Sequence, residues 1–297
     1  MTRGSLHADP PLPRGREEAS RAAAATRGLR LEPGRLLRYG CAVLITLFML
    51  TPIYLIALAA FSTPQAIFDY PHSLVPTAVS LDNIHFFLTF QGILPSLLRS
   101  LAVGGLTVVL SLLLGCPAGY ALARYWFRGK DLVQLALVNV RAIPMVIISI
   151  PLLVTFIEWN LNDTVISVAP VHAAISLPLT VLITASVFLR VPAELEEAAM
   201  SLGTSRVGAF VRVVLPNSVP GLAAAALFAF VTSWNEVFVA VILTLRSPTL
   251  PAALVQQLSD SPLAFRFAAG LCLTIPAFVY IFFMRPYLFN AFGVGGK

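Results

Sequence analysis

Side chains that could act in catalysis are few in this 297-residue sequence, because only 11% of its residues are charged. No carboxylate pair or nucleophile motif accompanies the four histidines, which are His7, His72, His85 and His172. The sequence contains no GxxxxGK(S/T) phosphate-binding loop, since neither FRGKD, ending at Asp131, nor the terminal GGK fits that pattern. Each cysteine lies in an apolar run and acts there as a small hydrophobic residue. The sequence therefore predicts no catalytic site, no metal site and no bound cofactor.

Polar and ionisable groups also occur inside apolar runs, at Arg141, His172 and Glu236. An ionisable group inside a bilayer costs free energy unless it faces a cavity or a partner, so such a group marks a candidate functional position. Glu236 follows Trp234 and Asn235, and interhelical hydrogen bonding is the structural alternative for these three residues. Arg141 is expected either to pair with Glu236 or to extend to a membrane interface. We expect His172 to be a hydrogen-bonded core residue rather than a ligand.

The elements that position these groups are predicted to be membrane-spanning helices. Hydrophobic residues make up 58% of the sequence and its mean hydropathy is +0.84, whereas a soluble domain carries roughly 25% charged residues. A transmembrane helix needs about 20 predominantly apolar residues. The segments that meet this requirement are residues 39–61, 98–123, 132–157, 164–189, 219–245 and 268–290. The predicted fold class is therefore all-α, with a six-helix transmembrane bundle over residues 39–290.

Proline and glycine within these segments predict kinks and close helix contacts. Membrane helices tolerate such residues when neighbouring helices satisfy the freed backbone groups. The prolines concerned are Pro52, Pro117, Pro144, Pro151 and Pro276. Gly115 and Gly119 form a GxxxG pattern that permits close approach of two backbones, although chance spacing in a glycine-rich helix gives the same pattern. Residues 132–157 have a second interpretation, as a broken and partly interfacial segment, because Arg141 lies within them.

Lysine and arginine are distributed unevenly among the connections. The basic connections are residues 1–38, with eight arginines, 124–130, 190–212 and 285–297. The connections with few or none are residues 62–96, 158–163 and 246–266. Because positively charged connections remain in the cytoplasm, both termini and the 192–216 stretch are predicted to be cytoplasmic.

The two ends of the chain are predicted to be cytoplasmic extensions. Residues 1–38 are rich in arginine and alanine but lack the apolar middle of a secretory signal, so we expect a disordered basic tail. Residues 291–297 are expected to form the cytoplasmic C-terminus. The net charge of +6 is interpreted as a topology signal, and no nucleic-acid partner is predicted.

The most polar internal stretch, residues 192–216, is predicted to form two short helices joined by a turn. Apolar residues recur at helical spacing in each half. They are Leu195, Ala198, Ala199 and Leu202 in the first half and Val207, Phe210, Val211 and Val214 in the second. Gly203 is expected to end the first helix, Thr204 or Ser205 to cap the second, and Pro216 to end it. Such helices can lie on lipid, pack under their own bundle or present a surface to a partner protein.

The spacing within this stretch resembles the EAA signature of importer-type ABC transporter permeases. Glu197, Ala198 and Ala199 are followed by Gly203 after three residues and by VxLP, ending at Pro216, after nine more. In that family the loop forms coupling helices that dock in a groove of a separate ATPase subunit. The resemblance therefore implies ATPase-coupling roles for Glu197, Ala198, Ala199, Gly203, Leu215 and Pro216.

The resemblance extends over most of residues 36–297 and is closest to the carbohydrate-uptake branch of the family. It is carried further by YALARYWFRGKD at 120–131, SWNEVFVAVIL at 233–243, TLPAAL at 249–254 and the C-terminal stretch from Ile275. Leu202 and Thr204 depart from the pattern, which often has aspartate and alanine there. The form AMSLGTS also occurs among polyamine permeases, so a polyamine or another small solute is an alternative cargo.

The resemblance implies a permease subunit, not an enzyme, that forms half of the path for a sugar or polyol through the inner membrane. The implied partners are the lipid bilayer, an ATPase subunit dimer that holds ATP and Mg²⁺, a second permease subunit, and a periplasmic or lipoprotein solute-binding protein. It also implies that Trp234, Asn235 and Glu236 face the path. Glu236 is the sole acidic residue within the six predicted segments, which favours a neutral solute. A self-contained channel or secondary transporter is the alternative, and it leaves the spaced motif unexplained.

Overall fold

The computed structural model describes residues 33–63, 65–68, 70, 73–75, 79–257 and 261–291. Over these residues the secondary structure consists of helices and one isolated bridge between Ser62 and Val79. The chain divides into two compact units, residues 1–54 and residues 55–297. The predicted tail up to residue 32 and the predicted cytoplasmic end from residue 292 lie outside the described residues.

Within the described part of the chain we number the α-helices α1 to α12 in chain order. They are Pro33–Phe61, Asp82–Thr89, Ile93–Arg124, Lys130–Asn139, Met145–Glu158, Val165–Leu189, Ala193–Ser201, Arg206–Ala209, Leu215–Asn235, Phe238–Leu243, Leu250–Gln257 and Leu263–Ala291. A 3-10 helix at Val140–Ala142 follows α4, and a π-helix at Phe210–Val214 joins α8 to α9. Because α1 begins at Pro33, residues 33–38, which the sequence assigned to the disordered tail, are helical.

Five of the six predicted membrane spans correspond to single long apolar helices. These are Leu37–Phe61, Ile93–Arg124, Val165–Leu189, Arg206–Asn235 and Leu263–Tyr287. Prolines lie inside several of these helices without ending them, as expected where neighbouring groups satisfy the freed carbonyls. The prediction of an all-α fold with multiple membrane-spanning helices is therefore confirmed for the described residues.

The third predicted span, residues 132–157, is wrong as one continuous helix. The apolar segments on either side of the break meet at 83°. Ile143 is extended, with φ −75° and ψ 122°, because the residue before a proline disfavours the helical region. Pro144 has no N–H to continue the hydrogen-bond ladder, so α5 begins only after it. The alternative prediction of a broken segment is confirmed.

The bounds of the fifth predicted span, residues 219–245, are also wrong. The helical run continues from Arg206 to Asn235, so Pro216 does not end the second helix of the 192–216 stretch. Pro216 lies in the first turn of α9, directly after the π-helix, where the lack of an N–H is tolerated. The run ends at Glu236, whose backbone is extended, and the short helix α10 follows.

α3 packs along α6 through two glycines. A Cβ added to Gly115 would lie 2.8 Å from the methyl carbon of Thr180, and one added to Gly119 would lie 2.8 Å from the backbone nitrogen of Ala185. The Thr184 hydroxyl donates a hydrogen bond to the Gly115 carbonyl at 3.0 Å. Close helix contact at the GxxxG pattern is therefore confirmed, since glycine alone leaves room for the two backbones to approach.

Buried hydrogen bonds join α3, α6 and α9. The Ser233 hydroxyl oxygen lies 2.9 Å from His172 Nδ1 and 3.3 Å from the Thr107 hydroxyl oxygen. The hydroxyl oxygens of Ser111 and Ser176 are 2.8 Å apart. Inside a membrane such pairs stabilise helix association by about 0.6 kcal/mol each. His172 is thus the hydrogen-bonded core residue that the sequence predicted.

The connections sort into two groups at opposite ends of α3. At the C-terminal end, Arg124 Nη2 donates to the carbonyl of Val191, in the basic connection after α6. At the N-terminal end, the Ser100 hydroxyl accepts a hydrogen bond from the Leu250 N–H at 2.7 Å, in the connection poor in lysine and arginine. The basic connection after α6 and the connection poor in lysine and arginine thus lie at different ends of α3, and the side of the membrane that each end faces stays a prediction.

Asp163 fastens the segment that follows α10. Its Oδ1 accepts hydrogen bonds from the N–H groups of Arg246 at 2.7 Å and Ser247 at 3.2 Å. We expect Asp163→Ala to raise amide hydrogen exchange at both residues about tenfold, because hydrogen bonds to a charged group contribute about 1.5 kcal/mol. Exchange measured by mass spectrometry tests this, with Asp131→Ala at the other end of α3 as the control. Unchanged exchange in Asp163→Ala would contradict the anchoring role.

Candidate site for a partner protein

α7 and the helix beginning at Arg206 are joined by a sharp turn at Gly203, whose φ is +89°. The Gly203 N–H donates to the Met200 carbonyl at 2.9 Å, and the Thr204 N–H donates to the Ala199 carbonyl at 3.1 Å. These two bonds form a Schellman motif, which needs the left-handed backbone that glycine adopts without strain. The predicted helix end at Gly203 is confirmed.

Ser205 begins the second helix of the stretch. Its hydroxyl accepts a hydrogen bond from the Gly208 N–H at 3.1 Å, and its own backbone is extended, as at an ordinary N-cap. Of the two predicted caps, Thr204 and Ser205, the structure uses Ser205. The turn is thus fixed by backbone and side-chain hydrogen bonds on both sides.

The second helix packs under the helix bundle of its own chain through an aromatic cluster. The Phe210 ring centroid lies 4.4 Å from that of Tyr120 and 5.6 Å from that of Phe188. Val214 is fully buried in the same cluster. Packing under the chain's own bundle, one of the three predicted roles, is therefore correct for this inward half.

A buried carboxylate ties α7 to α3. The Tyr120 hydroxyl donates to Glu196 Oε1, and Arg124 Nε donates to Glu196 Oε2 at 3.1 Å. Arg124 Nη2 also donates to the Val191 carbonyl at 2.8 Å, just before α7. The Glu196 side chain is 8% exposed and that of Arg124 is 14% exposed. One arginine therefore holds both the start of the stretch and its first helix.

Sequence reasoning selected Glu197 and missed Glu196. The ion pair joins residues 72 positions apart, and no local pattern identifies which of two adjacent glutamates is buried. The sequence did contain one indication of a buried carboxylate partner, because Tyr120 and Arg124 are four residues apart and share a face of α3. That spacing indicates a donor pair at the helix end but not the carboxylate that it binds.

The remaining half of the stretch is exposed. Glu197 and Ala198 are exposed and Ala199 is half-buried. We call the following set the exposed loop face: Leu195, Glu197, Leu202, Val207 and Val211. Leu202 is 88% exposed and Val207 is 73% exposed. Leu215 is half-buried and Pro216 is exposed, at the start of α9.

The three residues predicted to face a path lie at the end of α9. Trp234 is buried, and its indole N–H donates to the Leu273 carbonyl on α12 at 3.1 Å. Asn235 is exposed, and Glu236 Oε1 accepts a hydrogen bond from the Val239 N–H at 3.1 Å. Glu236 therefore lies at a helix break and caps α10, whereas the sequence predicted a mid-helix position. Their assignment to a path stays a prediction.

Arg141 does not form an ion pair with Glu236. Its guanidinium carbon lies 5.8 Å from the centroid of the Phe228 ring on α9. The Glu236 carboxylate instead accepts a hydrogen bond from the Val239 N–H. A cation–π contact of this kind contributes roughly 0.5–1 kcal/mol at an exposed site. Of the two alternatives given for Arg141, the structure does not show the pair with Glu236.

Residues 111–291 match the family model described as "binding-protein-dependent transport system inner membrane component". This match covers more than half of the chain and includes α3 from its middle, the 192–216 stretch and α12. The chain belongs to this permease family. The permease is accordingly a transport component of an ABC system and not an enzyme.

Curated relatives support the same assignment. The permease is 34% identical over 211 residues to ABC transporter permease protein ORF1 of Streptomyces antibioticus, which covers 69% of this chain and 92% of that protein. It is 31% identical over 253 residues to the arabinooligosaccharides transport system permease protein AraQ of Halalkalibacterium halodurans, covering 82% and 90%. It is 29% identical over 214 residues to the trehalose transport system permease protein SugB of Mycobacterium tuberculosis, covering 70% and 78%.

A solved structure has the same fold. A chain of a bacterial ABC transporter involved in the import of the acidic polysaccharide alginate superposes with a TM-score of 0.68 at 18% identity. The match covers 94% of the permease and all of that chain. The predicted importer-permease fold is confirmed.

Proposed function

We propose that the permease forms half of the translocation path of an ATP-driven importer for a sugar or polyol. It would lie in the inner membrane with both termini in the cytoplasm. A separate ATPase dimer, which holds ATP and Mg²⁺, would dock on the exposed loop face and drive alternating access. The observation that carries the proposal is the exposure of Leu202 and Val207 beside the motif residue Glu197.

Exposed apolar side chains beside a fixed turn favour a protein partner over lipid. Leu202 projects from the turn itself, and an apolar anchor of this kind is typical of protein interfaces. A helix that lies on an anionic lipid surface would carry lysine and arginine on its polar face. The first helix here carries Glu194 and Glu197 instead, and both are exposed. The exposed Arg206 and Arg212 of the second half only balance these two glutamates, so the stretch offers anionic lipid no net positive surface.

The rigidity of the 192–216 stretch suits a mechanical role. The Schellman turn at Gly203, the cap at Ser205 and the aromatic cluster around Phe210 fix its shape without a partner. A preformed surface loses little conformational entropy on docking. Movement imposed on the exposed half would therefore be passed to the bundle rather than absorbed by the loop.

The cytoplasmic orientation of this stretch rests on charge. The connections that meet at its end of α3 are the ones rich in lysine and arginine, and such connections stay in the cytoplasm. The connections at the other end would then face a periplasmic or lipoprotein solute-binding protein. One such bundle makes half a path, so a second permease subunit, homologous or identical, would complete it.

The cargo proposal rests on the relatives' names and on the chemistry at the end of α9. Two of the relatives are named as permease proteins of a trehalose and an arabinooligosaccharides transport system. Asn235 and Glu236 offer hydrogen-bonding groups at a helix break, and Trp234 is packed behind them. A polyhydroxy solute needs donors and acceptors of this kind. A path for a polyamine would require several acidic residues, and the one acidic residue in the predicted spans is Glu236.

The experiment is co-purification of the permease with its ATPase subunit, combined with uptake into vesicles that contain ATP. We expect Glu197→Ala and Gly203→Asp each to reduce co-purified ATPase at least tenfold, because each change removes a contact or the turn at the interface. Labelled trehalose, arabinotriose and spermidine serve as the transport probes. Uptake of either sugar in preference to spermidine supports the cargo class.

The matched control is Glu194→Ala, since Glu194 is exposed on the same helix but lies outside the motif. It should retain the ATPase subunit. Normal co-purification and normal ATP-dependent uptake in both Glu197→Ala and Gly203→Asp would refute the coupling proposal. Preferential uptake of spermidine would refute the cargo proposal alone.

A further inference from the structure

α3 is not adjacent in sequence to the 192–216 stretch, whereas α6 directly precedes it and α9 continues out of it. α6 ends at Leu189, directly before the stretch, and α9 continues out of it. Any displacement of the stretch therefore reaches α6 and α9 through the backbone. α3 can follow only through contacts made across the fold. The contacts that bind it to the stretch determine whether all three central helices move together.

The polar contacts between α3 and the first half of the stretch converge on Glu196. Tyr120 and Arg124 approach its two carboxylate oxygens, and Arg124 also holds the Val191 carbonyl. Because all these side chains are largely buried, the ion pair is poorly screened by water and salt. Glu197, the next residue, is exposed and contacts none of these groups. The two adjacent glutamates thus have separate surroundings.

The far end of α3 is also fastened. Arg99 Nη1 donates to the Pro248 carbonyl at 3.1 Å, and the Ser100 hydroxyl accepts from the Leu250 N–H at 2.7 Å. α3 has 32 residues, so at about 1.5 Å per residue it is about 48 Å long. One continuous helix therefore connects the Glu196 contacts at one side of the bundle to the segment around residues 248–250 at the other.

We propose that Glu196 is a positioning residue through which the 192–216 stretch moves α3, so that docking on one side of the membrane displaces the segment held by Arg99 and Ser100 on the other. The role rests on the proposed docking of an ATPase to the exposed loop face. Within it, Glu197 and Leu202 hold the partner, and Glu196 passes the displacement into the bundle. A change at Glu196 therefore leaves ATPase binding intact but separates ATP hydrolysis from movement of α3.

The test uses the assembled transporter with a fluorescent reporter at the far end of α3. Leu98 is 59% exposed and adjoins Arg99, so a bimane label on Leu98→Cys reports on that end. The background replaces the three native cysteines, Cys41, Cys116 and Cys272, with alanine. ATP with vanadate traps the closed ATPase dimer, and no transported solute is needed. In the otherwise unchanged transporter, trapping should alter the bimane emission.

We expect Glu196→Gln to keep co-purified ATPase and ATP hydrolysis within twofold of the unchanged protein, and to reduce the trapping-dependent change in emission about tenfold. Tyr120→Phe removes only the hydroxyl that Glu196 accepts from and should give the same pattern. It serves as the second variant if Glu196→Gln does not reach the membrane. Glu194→Gln is the matched control, since Glu194 is exposed on the same helix.

Three results would overturn the inference. A full emission change in Glu196→Gln and Tyr120→Phe would mean that α3 follows through its other contacts, those of Gly119 with α6 and of Tyr120 with Phe210. Loss of co-purified ATPase would assign Glu196 to the docking surface. Absence of any emission change in the unchanged protein would mean that α3 transmits nothing. The docking proposal is tested by a different experiment. Normal co-purification of the ATPase with Glu197→Ala and Gly203→Asp would refute it.

Discussion

Replacing Gly119 with valine is expected to destabilise the permease by about 3 kcal/mol, because the position has no room for any side chain. Even a Cβ would lie 2.8 Å from the backbone nitrogen of Ala185, and a backbone cannot move aside as a flexible side chain can. α3 and α6 would have to separate. The Thr184 hydroxyl would then lose the Gly115 carbonyl that it now donates to at 3.0 Å.

Thermal unfolding of the purified permease in detergent measures the effect of Gly119→Val. A loss of about 3 kcal/mol corresponds to a fall in Tm of roughly 10 °C for a chain of this size. Gly105→Val is the matched control, because Gly105 lies in the same helix with no atom within 4 Å of an added Cβ. It should change Tm by less than about 2 °C. Equal Tm values for the two variants would disprove the close-contact interpretation.

Leu202→Arg is expected to remove the ATPase subunit without affecting the fold of the permease. Leu202 is 88% exposed, so its substitution removes almost no packing inside the chain. At a docked interface the same change would place an unpaired charge against an apolar surface. A loss of about 2 kcal/mol of binding free energy corresponds to roughly 30-fold weaker association.

Titration of the purified permease with its ATPase subunit measures the Leu202→Arg effect, and the Tm of the permease serves as the folding readout. Leu202→Met keeps an apolar side chain of similar volume and should bind the ATPase like the unchanged protein. If Leu202→Arg binds as tightly as Leu202→Met, the turn does not contribute to the interface. A fall in Tm would instead show that Leu202 contributes to the permease's own stability.

The buried and exposed glutamates of the loop have different expected phenotypes. Glu197 should affect binding of the ATPase, whereas Glu196 should affect what binding does to α3. Variants of these two adjacent residues therefore distinguish docking of the ATPase from transmission of its movement to α3. A substitution that changes both residues at once would conceal this difference.

The sequence by itself determined the features that depend on neighbouring residues. The apolar segments gave the membrane class. The distribution of lysine and arginine predicts on which side of the membrane the connections lie, and that orientation stays a prediction. Gly203 predicted the turn of the 192–216 stretch, and Thr204 or Ser205 its cap, because a left-handed glycine and an N-cap hydroxyl act within one helical turn. The motif spacing then indicated the family.

Only the tertiary structure decided features that depend on distant residues. Pro216 does not break its span as Pro144 does, because the π-helix before Pro216 is packed through Phe210 against Tyr120 and Phe188, which are distant in sequence. Glu236 caps α10 rather than pairing with Arg141, because α9 ends one residue before it. Glu196 is buried and Glu197 is not, because Tyr120 and Arg124 come from a helix more than 70 positions earlier. Local sequence fixes a helix and its ends, but burial is fixed by whatever packs against it.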